Sequence, residues 1–273
     1  MKEKRFVASI SLITPLFISI LIAVMCSAII MRSDVEFTSA TIFPETGLNP
    51  ILNAVFYLII VSCSATLIYF LLKIAVHRFL RVLMTIAFFL ATFALLVVYL
   101  QLLLKILTIE LSMLTVFFLA FTLSLFLLKP LMTTSRTLNV FTLAFSGSTG
   151  ALLGASIPLL SSIYILILLA FYDIISVFYG PIGKIVSLGL EYLPGVTFYY
   201  RNIQIGLGDL TFYSMLVSRL LLSFGWLACS AGTLGVLLGS YLSFKMLEKK
   251  KIFPGLPFSI LFGLSAGILV STI

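Results

Sequence analysis

Nine acidic residues punctuate the chain. Glu3, Asp34, Glu36, Glu45, Glu110, Glu191 and Glu248 fall between apolar runs or at their ends, whereas Asp173 and Asp209 lie within such runs. An ionisable side chain at membrane depth is costly, so each one there marks a candidate site. Two carboxylates a few ångströms apart in a low dielectric cannot both ionise readily; they share a proton, and one then serves as general base while the other serves as general acid. Such a pair can activate water against an amide carbonyl without a covalent intermediate. Taken alone, the same two residues would better suit the proton site of an ion- or proton-coupled transporter, since intramembrane aspartates serve transport more often than proteolysis. A structural pair, capping helices or hydrogen-bonded to Tyr172 or Tyr213, is a third reading. Other chemistry is poorly supplied. His77 stands beside Arg78 in a basic stretch read as a loop, and no Ser–His or Cys–His arrangement lies at membrane depth. Cys26, Cys63 and Cys229 sit singly in apolar runs, without metal-ligand spacing, and read as packing residues.

The elements that must hold these carboxylates are transmembrane helices. Hydrophobic residues make up 62% of the 273 residues and charged ones 10%, with a mean hydropathy of +1.26. A water-soluble domain lacks the polar surface to cover that much apolar material. The apolar runs are about 20 residues long, the length that crosses a hydrocarbon core of about 30 Å as a helix. Nine spans emerge, over 6–31, 50–72, 82–104, 112–128, 137–156, 158–180, 203–222, 225–245 and 254–273. They predict one all-α, polytopic membrane domain over 1–273, with five helices in 1–157 and four in 158–273. The first span follows a basic start but is too long for a signal peptide and lacks a small-x-small cleavage site, so it reads as a retained helix. Ser146, Gly147, Ser148, Thr149, Gly150 and Gly154 suit the fifth span to close helix packing.

The net charge of +8 raises the question of nucleic acid. The basic residues form short clusters between apolar runs, however, and no basic face lies beside aromatic platforms, so nucleic acid is excluded as a partner. They report topology instead. With the N-terminus in the cytoplasm, all 17 Lys and Arg residues fall on the inner side except Arg32, Lys105 and Arg219. Fusing the fifth and sixth spans would turn the later loops the wrong way, so the asymmetry favours nine spans with the C-terminus outside. Arg219 then reads as a snorkelling residue near the outer interface.

Asp173 is seven residues before Gly180 and Asp209 six after Ile203, so at 1.5 Å per residue both carboxylates would lie roughly 10 Å below the inner surface. Gly206 and Gly208 would let another backbone approach Asp209. Between the two spans, 181–202 predicts a short interfacial helix opened by Pro181 and ended by Pro194 and Gly195, followed by a β-prone run, Val196, Thr197, Phe198, Tyr199 and Tyr200.

Tyr172-Asp173 in one span, Gly206-Leu207-Gly208-Asp209 opening the next, and Pro254-Gly255-Leu256 opening the last resemble, in order, the YD, GxGD and PAL signatures of the presenilin and signal peptide peptidase family. The stretch 206–214, GLGDLTFYS, is closest to presenilins, of a microbial, archaeal type; 1–157 matches only as an apolar pattern. The resemblance implies a nine-helix presenilin-like bundle and an intramembrane aspartyl protease that cuts transmembrane segments of other membrane proteins. It implies Asp173 and Asp209 as the catalytic pair. It also implies that Tyr172, Gly206, Leu207, Gly208, Pro254, Gly255 and Leu256 shape the site or meet the substrate backbone, which would add as a β-strand beside 196–205. No metal or organic cofactor is implied, and the lipid bilayer and the substrate are the only partners; no obligatory partner subunit is expected. Two departures stand out. Gly255 replaces the alanine of the third signature, which keeps a small residue on a more flexible backbone. The inner loop is also far shorter than the presenilin cleavage loop, so the chain is expected to remain one polypeptide.

Overall fold

A computed structural model describes residues 10–35, 37–74, 77–127, 135–180, 197–200, 203–248 and 253–272. The expected interfacial helix within 181–193, the basic residues Lys129, Lys184 and Lys249 to Lys251, and Pro130 lie outside the described residues.

The described chain is helical apart from one hairpin. A short 3-10 turn, Ile10–Leu12, leads into α1 (Thr14–Arg32), with Pro15 in its first turn, where a missing N–H costs nothing. Then come α2 (Asn49–Lys73), α3 (His77–Ile106), α4 (Met113–Leu127), α5 (Ser135–Ser156) and α6 (Leu159–Phe178). Two strands follow, β1 (Thr197–Tyr200) and β2 (Ile203–Gly206), and the chain closes with α7 (Leu207–Leu247) and α8 (Leu256–Ser271). Six of these helices, α1, α2, α3, α5, α6 and α7, are long and apolar enough to cross a membrane; α4 and α8 are apolar but shorter, at 15 and 16 residues. The chain is thus an integral membrane protein.

The seventh and eighth spans are two helices that meet at a kink at Gly225, whose φ of 80° and ψ of −168° leave helical space; together they are labelled α7. Its arms cover 207–224 and 226–247. Two expectations need adjustment. The seventh span was expected to start at Ile203, but 203–206 is strand and the helix begins at Leu207. The alternation Ile203-Gln204-Ile205 pairs with the β-prone run before it, and a ladder with buried alternate residues outcompetes an isolated first turn. Lastly, His77 opens α3 and is not a loop residue.

The core gathers around α7. Leu16 and Ile20 of α1, Ile165, Leu166 and Leu169 of α6, Leu216 and Leu220 of α7, and Ile260 of α8 are almost wholly buried in one cluster. Small residues set the approach. On α5, a Cβ at Gly154 would come 2.9 Å from Ser218 Cβ of α7, and one at Gly147 would come 2.6 Å from the Ser19 carbonyl of α1. Packing at that distance is how membrane helices associate without a hydrophobic drive. The small-residue run of the fifth span therefore serves as anticipated. By contrast α2, α3 and α4 turn most of their apolar surface outward.

The hairpin β1–β2 is antiparallel, with Phe198 opposite Ile205 and Thr197 opposite Gly206. Phe198 and Ile205 are both buried in the main cluster, which fixes the register, since a slip of one residue would expose both. Strand β2 runs directly into α7 at Gly206, so the hairpin is built onto the start of that helix.

On the other side, the stretch 37–48 is tied to the helix ends. Asn53 of α2 donates to the Phe43 carbonyl (2.9 Å) and accepts from the Phe43 N–H (3.0 Å), and its Nδ2 also reaches Ser161 Oγ (3.0 Å). Glu45 accepts the Ser161 N–H at 2.8 Å, placing a carboxylate on the first turn of α6, where the helix dipole favours it. Neither contact has a local sequence signature, since its partners are joined only by the fold. Arg219 of α7 donates to the Gly154 carbonyl at 3.2 Å.

Candidate active site

Asp173 projects from α6 a turn and a half before its end and is buried, with 8% of its surface exposed. Asp209 lies in the first turn of α7, half-buried. A carboxylate there faces the positive end of the helix dipole. The third signature residues lie just before α8 and at its start, with Pro254 and Leu256 buried.

These segments converge on one backbone unit. The Leu256 N–H donates to Asp173 Oδ2 at 3.0 Å. Beside it, the α-carbon of Gly255 faces Asp209 so closely that a Cβ would sit 2.8 Å from Oδ2. The two carboxylates therefore flank the same Gly255–Leu256 turn. Sequence depth alone had put them at one level; here α8 supplies the backbone that joins them.

The neighbours divide into two groups. Gly206 and Gly208 are uncrowded: the nearest atoms to an added Cβ, among the described residues, are Asp209 Cγ and Phe212 Cε2, each 3.8 Å away. Both positions thus leave room for another backbone. Gly208 is exposed and Leu207 half-buried, so the site opens along this edge. Buried hydroxyls lie on the other side. Those of Tyr172 and Ser176, flanking Asp173 in α6, have no hydrogen-bond partner among the described residues. Tyr213 does not bond an aspartate; its hydroxyl donates to the Gly255 carbonyl at 2.9 Å. Ser243 and Ser259 reach the same oxygen at 3.3 and 3.2 Å. Sequence reasoning did not find these serines, because a hydroxyl in an apolar helix ordinarily bonds its own preceding turn.

Fold and site together define an all-helical membrane protein with paired aspartates at the junction of three helices. Residues 194–273 match the presenilin family model. No curated protein matches the chain by sequence. Two solved structures described as a presenilin family intramembrane aspartate protease share its fold. The one in space group C222 has a TM-score of 0.68 at 15% identity, over 95% of this chain and 98% of that one. The one in space group P2 has a TM-score of 0.67 at 18% identity, over 98% and 99%. The presenilin resemblance is therefore carried by sequence over the C-terminal part and by fold over nearly the whole chain.

Proposed function

We propose that the chain is an intramembrane aspartyl endopeptidase that hydrolyses peptide bonds within transmembrane segments of other membrane proteins, with Asp173 and Asp209 as the catalytic pair. The observation that carries this reading is the convergence of both carboxylates on the Gly255–Leu256 turn. With one carboxyl protonated and one ionised, the ionised member takes a proton from water, and the protonated member gives its own to the scissile carbonyl as the tetrahedral adduct forms. Return of a proton to the amide nitrogen then breaks the C–N bond. The acid and base roles belong to the pair and not to either residue.

The same reading extends to substrate and topology. A single membrane domain crosses nine times, counting the two arms of α7 and the shorter α4 and α8, with the N-terminus cytoplasmic and the C-terminus outside. An unwound substrate enters along the open edge at Leu207 and Gly208. The room beside Gly206 and Gly208 admits its backbone, and β2 supplies main-chain groups for strand addition. Tyr172, Pro254, Gly255 and Leu256 line the opposite wall, and the buried Tyr172 hydroxyl has no hydrogen-bond partner among the described residues.

The test is cleavage of a single-span substrate by purified protein in detergent and in lipid vesicles, with products mapped by mass spectrometry. Wild type should cut within the span, while Asp173→Ala and Asp209→Ala should each lose nearly all activity yet remain folded. Intact substrate with wild type, together with proton-coupled flux that either substitution abolishes, would replace the protease with the transporter.

A further inference from the structure

The peptide unit between Gly255 and Leu256 is held at both ends. Its N–H is given to Asp173 of α6 (3.0 Å), and its carbonyl oxygen receives the Tyr213 hydroxyl of α7 (2.9 Å). Tyr213 lies one helical turn after Asp209 on the same helix, so this single peptide plane ties the helix bearing one aspartate to the helix bearing the other. Tyr213 is 3% exposed, so its hydroxyl makes its hydrogen bond within the protein and not to solvent.

We propose that Tyr213 is a positioning residue of the aspartate pair, acting through the Gly255–Leu256 peptide. The inference rests on the protease reading above. A donor on a carbonyl oxygen polarises the peptide and strengthens the hydrogen bond its N–H makes on the far side. The Tyr213 hydroxyl thus orients the peptide plane and reinforces the hold on Asp173. It touches neither carboxylate and has no role in binding substrate.

The serines are secondary, and proton counting shows why. A carbonyl oxygen has two lone pairs, and each hydroxyl has one proton to give. If Ser259 gives its proton to Gly255, its 2.9 Å contact with Ser240 is a hydrogen bond only when Ser240 donates it. Ser240 has a competing acceptor in the Val236 carbonyl at 2.8 Å. Ser243 reaches Gly255 only at 3.3 Å. Tyr213 makes the shortest contact of the three.

Two readouts on the purified full chain test this. The first is kcat and KM on a single-span substrate, per active site titrated with a hydroxyethylene transition-state analogue. Tyr213→Phe keeps the buried ring and removes only the donor; it should lower kcat by roughly two- to tenfold, the worth of one hydrogen bond, with KM unchanged. Ser243→Ala combined with Ser259→Ala should lower it less. The second is amide hydrogen exchange over 254–260, where Tyr213→Phe should speed exchange at Leu256. A rise in KM at constant kcat would make Tyr213 a substrate contact and overturn the proposal, as would a larger loss from the serine pair. Unchanged kcat and unchanged exchange would also overturn it. Should wild type cleave nothing, the protease reading fails, and exchange at Leu256 alone decides whether Tyr213 holds the peptide.

Discussion

At Gly255 the chain departs from the alanine of the presenilin-type signature, and the surroundings give that departure a physical meaning. A methyl group there would sit 2.8 Å from Asp209 Oδ2 and 3.4 Å from the Tyr213 hydroxyl, with no backbone atom among its three nearest neighbours. The Asp209 carboxylate would turn aside while the helices stayed in place. Gly255→Ala should therefore leave thermal unfolding in detergent nearly unchanged yet lower kcat by roughly ten- to a hundredfold, since a misplacement of about 1 Å at a reacting group can cost up to about a hundredfold. Equal or higher kcat in the alanine variant would show that the close approach of Asp209 to Gly255 is not its working position. The two aspartates were legible because charge stands out in an apolar run. The groups that hold the turn between them were not. Tyr213 lies 42 residues from Gly255 and is joined to it only by the fold. Ser259 bonds Gly255 in the ordinary i−4 pattern, which in sequence is indistinguishable from Ser240 bonding Val236.

Among the elements, α7 has the most demanding geometry. It carries Asp209 in its first turn, packs against α1, α5 and α8, and changes direction at Gly225. The break was readable as a gap between two apolar runs, but its form was not, because no proline or polar loop separates the arms. Gly225 has φ 80° and ψ −168°, a region essentially confined to glycine, and a Cβ there would touch nothing within 4 Å. The cost of a side chain is therefore backbone strain alone. Gly225→Ala should destabilise the protein by about 1–3 kcal/mol, visible as a lower midpoint of thermal unfolding. Because the strain falls at the far end of the first arm from Asp209, kcat per folded molecule should hold. An unchanged midpoint would mean that the two arms join at another angle. The hairpin shows the reverse case. Its β-prone first strand was legible from Val196 to Tyr200, but Ile203 to Gly206 was absorbed into the next apolar run, since alternation over four residues is too short to separate strand from helix. Only pairing of Phe198 with Ile205 over a shared core decides it.

For the whole molecule, the main core lies where α1, α5, α6, α7 and α8 meet, and the family match by sequence lies within the last part of that assembly. The peripheral α2, α3 and α4 face outward with apolar surface, which lipid accepts in almost any order of Leu, Ile, Val and Phe. Their sequences therefore carry the apolar pattern and little else that identifies the fold. The one-sided distribution of Lys and Arg predicts an orientation for the whole chain. For the proposed protease, orientation would decide which end of a substrate helix meets the carboxylates first. Single cysteines can read it, in a background where Cys26, Cys63 and Cys229 are replaced by serine or alanine. With the N-terminus inside, a cysteine at the exposed Ser39, on the stretch between α1 and α2, should react with a membrane-impermeant maleimide in intact cells. One at Ser187, between α6 and β1, should react only after the membrane is opened. The reverse pattern would invert the protein, place the entry edge at Leu207 and Gly208 on the outer side, and reverse which end of a substrate helix meets the carboxylates first while leaving the aspartate pair itself untouched.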